Sequence, residues 1–244
     1  MMNVKHTALE NTMKKSTLLY SVSAVLFAIF VAFTVIVAFC GKATVIYDEA
    51  AGISAEIGLA GLNQSVFNAL GTSDLWYEFT EFAGIIALVC AGIFALIGLG
   101  QLAKRKSVWA VDREILLLAL LYALVAIFYV LFEIIVINYR PILIDGVLEA
   151  SYPSSHTMLA CVVFVSTPFA CRHLIKSDNT HSTVTLLCYF LAIVTVIGRL
   201  MSGVHWLTDI IGSVLLSAAL VLLYVATVTL LNEKNPRKKR HSRR

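Results

Sequence analysis

Three short strings in the second half of the chain combine residue types suited to handling phosphate: Arg140-Pro141, Pro153-Ser154-Ser155-His156, and Arg199 followed by His205 and Asp209. A phosphate ester is already anionic in water, so cleaving it requires cations on the transferring group and a nucleophile in line with the leaving oxygen. A planar guanidinium fork binds two phosphate oxygens at once, and Arg140 and Arg199 supply two such forks. Ser154 and Ser155 are placed to cap a helix, whose first amides and dipole form an anion site. His156, in the first turn of that helix, titrates near neutrality and is suited to protonating a leaving oxygen. His205 and Asp209 stand four apart, a spacing at which a carboxylate keeps one imidazole nitrogen protonated and leaves the other as a lone pair for attack. An isolated arginine here would be read as snorkelling to lipid headgroups, and an isolated His–Asp pair as structural. Their combination points to chemistry.

The elements that must position these residues are membrane spans. The sequence is 59% hydrophobic and 14% charged with a mean hydropathy of +0.85, too apolar for a soluble domain of this length. Apolar runs long enough to cross a bilayer extend over about Thr17–Cys40, Phe82–Leu102, Ile115–Asn138, Thr157–Ile175, Val184–Met201 and Leu207–Leu231. The expected fold is an all-α integral membrane protein of six transmembrane helices. It divides into an N-terminal tail (1–16), a six-helix domain (17–231) and a basic tail (232–244). The first run is too long for the core of a signal peptide and lacks an Ala-x-Ala-type cleavage site, so it reads as a retained helix. Between the first two spans, Ile46 to Gly71 alternates apolar and polar residues and reads as an amphipathic surface segment, a lid or a plain connector. In the second span Ala83, Ala87, Ala91 and Ala95 recur every fourth residue, which lets another helix approach closely.

All but three of the 19 basic residues fall on the side that carries both termini: Lys5, Lys14 and Lys15, the loop from Lys104 to Arg113, Arg172, Lys176, and the tail from Lys234. Retention of basic residues in the cytoplasm places that side inside. The exceptions are Lys42, Arg140 and Arg199, and two of these three belong to the phosphate strings. Arg140 ends the third span and Arg199 the fifth, so the strings face outward, beside the acidic Asp48, Glu49, Glu56, Asp74, Glu78, Asp145 and Glu149. The tail containing Arg237-Lys238-Lys239-Arg240 follows a membrane helix directly and reads as a partner for anionic headgroups. No nucleic-acid partner is expected. The five cysteines show neither C-x-x-C spacing nor metal-ligand spacing with histidine and read as small buried hydrophobes.

The ordered strings resemble the phosphatidic acid phosphatase type 2 superfamily, whose signature runs Lys-x6-Arg-Pro, Pro-Ser-Gly-His, then Ser-Arg-x5-His-x3-Asp. Here they read Glu133-x6-Arg140-Pro141, Pro153-Ser154-Ser155-His156, and Gly198-Arg199-x5-His205-x3-Asp209. The resemblance implies a cytoplasmic-membrane lipid phosphatase with an outward-facing site and no metal or organic cofactor. It implies that His205 attacks phosphorus to form a phosphohistidine, that Asp209 orients it, that His156 protonates the leaving group, and that Arg140, Arg199, Ser154 and Ser155 hold phosphoryl oxygens. The implied substrates are lipids of the undecaprenyl diphosphate, phosphatidylglycerophosphate or phosphatidic acid type.

Three positions depart from the signature. Ser155 replaces a glycine and could crowd the substrate or demand another backbone angle. Gly198 replaces a serine and loses a hydrogen-bond donor, on the order of 1 kcal/mol. Glu133 replaces the phosphate-binding lysine. Its carboxylate could repel a phosphate dianion, pair with Arg140 or Arg199, or stay protonated near hydrocarbon. Glu133 therefore keeps open a weakened relative that binds lipid phosphate; a phosphotransferase that passes the phosphoryl group to a lipid or sugar acceptor also stays open, because pocket shape and water access choose the acceptor. A channel or transporter is disfavoured, because Glu133 stands out as the ionisable group within the spans and no internal repeat is present.

Overall fold

In the computed structural model, which describes residues 2–172 and 174–234, six apolar helices form one bundle. They are α1 (Met2–Phe39), α3 (Asp74–Arg105), α4 (Arg113–Ile134), α5 (Ser155–Cys171), α6 (Asp178–Met201) and α7 (Leu207–Lys234). The basic stretch from Arg237 onward lies outside the described residues, as do the side chains of Lys5 and Lys234. All but α5 are long and apolar enough to cross a membrane. With 17 residues, α5 is about 26 Å long. It is enclosed by the other helices, with Thr157, Met158, Val162, Phe164 and Ala170 among its buried positions. Because protein rather than lipid surrounds it, α5 carries polar residues that hydrogen-bond internally: Thr167 Oγ1 donates to Val163 O at 2.7 Å and Ser166 Oγ to the same oxygen at 3.3 Å. Leu88, Leu96, Ile127, Leu186 and Ile193, by contrast, are exposed on the outside of the bundle. That distribution suits a protein whose solvent is lipid.

The alanine stripe packs as its spacing predicts. Ala83 and Ala87 are buried, and Ala87 and Ala91 lie in one cluster with Ala160, Val163 and Phe164 of α5 and Cys188 and Ala192 of α6. On the opposite side α1 lies along α7. Ser23 Oγ donates to Ala219 O at 2.7 Å and Tyr20 Oη to Thr227 Oγ1 at 3.0 Å. The α3–α4 and α5–α6 junctions gather the basic residues at one end of the bundle, where Arg113 Nη1 also reaches Leu231 O near the end of α7.

Three boundaries differ from the sequence reading. The N-terminal tail continues α1 as helix from Met2. The third span stops at Ile134 rather than Asn138, and residues 135–154 form a loop whose short bridges pair Tyr139 with Ala150 and Ile144 with Val147. The segment Ile46–Gly71 falls within an antiparallel hairpin, β1 (Ala43–Asp48) and β2 (Ile53–Ile57), followed by the helix α2 (Ala60–Leu70). Alternation in a strand and a one-sided helix both produce an amphipathic pattern, which is why the sequence showed a surface segment without its two parts.

This connector is clamped to the bundle. Gly58 approaches α1 so closely that an added Cβ would stand 1.5 Å from Val37 O. Asn63, fully buried, donates through Nδ2 to Gly58 O (2.9 Å) and Thr208 Oγ1 (3.0 Å) and accepts from Thr208 N (3.2 Å). The start of α7 is thereby tied to the connector, and the residues immediately before it are those on which chemistry would depend.

Candidate active site

His205 lies just before α7, not on it. Asp209, in the first turn, turns its carboxylate back over the helix start, where Oδ2 accepts from Trp206 N at 2.9 Å and faces His205 Nδ1 at 3.4 Å. The pair exists as the spacing suggests, but the helix entry makes it rather than a shared helical face. Trp206 fixes the entry from three sides. Its Nε1 donates to Tyr139 O at 2.6 Å, its ring packs against Phe67 of α2, and Ile57 and Ala60 bury it. With Nδ1 engaged, the buried His205 Nε2 has no hydrogen-bond partner among the described residues. His205 lines a small cavity together with Glu133, Arg140, Tyr152, Ser155, Tyr129 and Phe132. Burial first, then the positive charges of Arg199 and Arg140, push the His205 imidazole well below its ordinary titration range. Burial thus favours the neutral ring.

The predicted serines divide their work. Ser154 caps α5, its Oγ accepting from Thr157 N at 3.4 Å. It is fully buried, and its carbonyl receives Ser213 Oγ of α7 at 2.9 Å. Ser155 lines the cavity instead. It opens α5 in a helical conformation with no left-handed φ, so a glycine is not needed there for the backbone.

The two arginines are held differently. Arg140 lies in the loop beyond α4, not at the end of the helix, and is joined to Glu149 by Arg140 N to Glu149 O and by Nε to Oε2, both 3.0 Å. Arg199, near the end of α6, is 1% exposed. Its Nη1 donates to Glu81 Oε1 at 2.9 Å and Thr80 Oγ1 at 3.2 Å, its Nη2 lies 3.3 Å from His156 Nδ1, and its guanidinium sits 5.5 Å from the Tyr77 ring centre. Glu81 Oε2 faces His156 Nε2 at 3.2 Å.

Glu81 was missed in the sequence. It sits at the edge of the second apolar run, three residues after Glu78, where an acidic residue reads as part of the outer rim. Its extra depth was the available signal. Tyr47 was also missed: its hydroxyl is buried without a hydrogen-bond partner among the described residues, and burial together with the Asp209 charge pushes it up to about 12. The hairpin therefore reaches the site.

Glu133 lines the His205 cavity but is exposed and pairs with neither Arg140 nor Arg199, which Glu149 and Glu81 occupy. Lys42, the other outer lysine, pairs with Glu56 in the hairpin at 3.5 Å. A larger cleft at the opposite end of the bundle, lined by Glu114, Arg172 and His181, contains none of the candidate residues.

Residues 135–233, which include Arg140-Pro141 and the second and third strings but not Glu133, match the PAP2 superfamily. The match spans less than half of the chain. The chain's fold is similar to that of a crystal structure described as the first transmembrane PAP2 type phosphatidylglycerolphosphate phosphatase from Bacillus subtilis. The TM-score is 0.59 at 20% identity, covering 89% of this chain and 98% of that one. No curated protein matches the sequence.

Within the PAP2 segment, the structure explains why glycine stands at 198. A Cβ there would lie 2.7 Å from Thr80 Cγ2 and 2.8 Å from Trp76 Cε3. The volume of the signature serine is filled by α3, and Thr80 brings a hydroxyl to Arg199 from that side. Gly198→Ser, although it restores the signature, should cost about 1–3 kcal/mol through overpacking, measured as a lower thermal midpoint of the purified protein in detergent.

Proposed function

We propose that this protein is a metal-independent lipid phosphatase that works through a phosphohistidine. The observation that carries the reading is His205: one imidazole nitrogen faces Asp209, the other has no hydrogen-bond partner among the described residues, and the residue lines a cavity with Arg140 and Ser155. In this reading Nε2 attacks phosphorus while Arg140 and Arg199 exchange their carboxylate partners for phosphoryl oxygens. The amide end of α5 adds to the anion site. His156 protonates the leaving oxygen, and water then releases phosphate from His205.

The clustering of basic residues at one end of the bundle supports a site at the extracytoplasmic face of the cell membrane, with both termini inside. The substrate is then a lipid whose headgroup phosphate reaches that interface, of the undecaprenyl diphosphate, phosphatidylglycerophosphate or phosphatidic acid type. The fold shared with a phosphatidylglycerolphosphate phosphatase supports this class. A second reading, a weakened relative that binds lipid phosphate, is favoured by one observation, the carboxyl of Glu133 on the cavity wall in place of the signature lysine.

Phosphate release from lipid mono- and diphosphates by purified protein in chelator tests the reading. His205→Ala should lower turnover at least roughly 10³-fold with the fold retained, and a milder loss would remove His205 as nucleophile. Only neutral His205 attacks, and its titration lies below the ordinary 6.5. The acid limb of kcat/KM, which reports the free enzyme, should therefore fall below pH 6.5, with activity retained as pH drops through that value. Glu133→Lys should raise turnover of at least one lipid monophosphate, measured on the same panel. No gain on any substrate would mean that the cavity works with the carboxylate.

A further inference from the structure

Glu81 belongs to none of the three strings and lies outside the segment that matches PAP2, yet it joins two of them. Oε1 receives Arg199 Nη1 at 2.9 Å and Oε2 faces His156 Nε2 at 3.2 Å. Arg199 Nη2 stands 3.3 Å from the other imidazole nitrogen. A guanidinium has only donors, so Nδ1 accepts and the imidazole proton sits on Nε2, directed at Glu81. One turn along α3, Gly84 leaves the ring its space, since a Cβ there would lie 2.8 Å from His156 Cδ2. The same helix thus supplies the carboxylate and the room for the imidazole it holds.

We propose that Glu81 is a positioning residue that readies His156 as proton donor to the leaving oxygen, as Asp209 readies His205 for attack. The role rests on the phosphatase reading above. When phosphoryl oxygens draw Arg199 Nη2 away, Nδ1 is free to take a proton from solvent, and the Glu81 carboxylate on Nε2 balances the imidazolium. As His205 Nε2 attacks, the bond from phosphorus to the leaving oxygen breaks. Its electron pair goes to that oxygen, which takes the Nδ1 proton. Water next attacks phosphorus and returns a proton to the now neutral His156, while the P–N bond breaks with its pair returning to His205. Glu81 keeps its charge throughout and touches neither phosphorus nor the leaving oxygen.

The full-length protein in detergent is assayed on a lipid monophosphate, whose alkoxide needs a proton to leave, and on p-nitrophenyl phosphate, whose phenolate does not. Glu81→Gln keeps an acceptor for Arg199 Nη1 but removes the charge behind His156. Its kcat on the lipid should fall at least roughly tenfold more than its kcat on the nitrophenyl ester. In Glu81→Asp the ratio should return toward that of the wild type. Thr80→Val removes a contact to Arg199 without touching His156 and should lower both substrates by the same factor. An equal loss on both substrates in Glu81→Gln, or none, overturns the proposal and leaves Glu81 as a partner of Arg199 alone. A wild type that cleaves neither substrate overturns the phosphatase reading, and the role of Glu81 falls with it. A wild type that cleaves both keeps the two failures distinct.

Discussion

Arg199 carries a charge that is 1% exposed inside a helical bundle, and much of the site's form follows from that burial. A guanidinium removed from water is costly unless its donors find acceptors. Those acceptors come from α3 and α5: Glu81 Oε1, Thr80 Oγ1 and His156 Nδ1, with the Tyr77 ring alongside. For α3 to deliver them it must press against α6 where Arg199 emerges, and Gly198 permits that contact. Gly84 leaves room for the imidazole on the same helix face. One buried cation therefore ties α3, distant in the chain, to the consecutive helices α5 and α6.

The other half of the site depends on the entry to α7. Here polar groups at the helix start close on one another around the buried Asp209. Asn63 holds Thr208, Asp209 receives Trp206 N, Ser213 reaches Ser154 O, and Ser154 N donates to Asp209 O. Tyr152, 1% exposed, fills the space below. It lies against Phe30 and Phe132 and bonds to Thr34, and a Cβ at Gly212 would meet its ring at 2.6 Å. Helix ends are where a membrane protein has spare backbone donors, so the polar work gathers there while the helix middles remain apolar toward lipid.

Both arginines stand opposite a carboxylate, Arg140 against Glu149 and Arg199 against Glu81. Those contacts keep two cations from facing each other unbalanced, and in the proposed reading a phosphoryl group would replace them. Glu133 adds a third carboxyl group at the rim, exposed near the end of α4. The departures from the signature are of different physical kinds. Gly198 is imposed by packing, Ser155 fits a helical position without strain, and Glu133 changes the charge of the cavity wall.

Composition and periodicity alone determined the helical membrane architecture, because some 20 apolar residues per span is a requirement of bilayer thickness that any reading of the chain must meet. The spacing of His205 to Asp209, the cap at Ser154 and the small-residue stripe of α3 are also local and were legible for that reason. Tertiary structure decided what depends on contacts across the chain: that Glu81, and neither Glu133 nor Glu149, holds Arg199, that Arg140 lies in a loop rather than on a helix, and that the connector is a hairpin and a helix clamped to α7. No local pattern distinguishes one acidic residue at a span edge from another, since what separates Glu78 from Glu81 is which of them the packing of α3 on α5 and α6 turns inward.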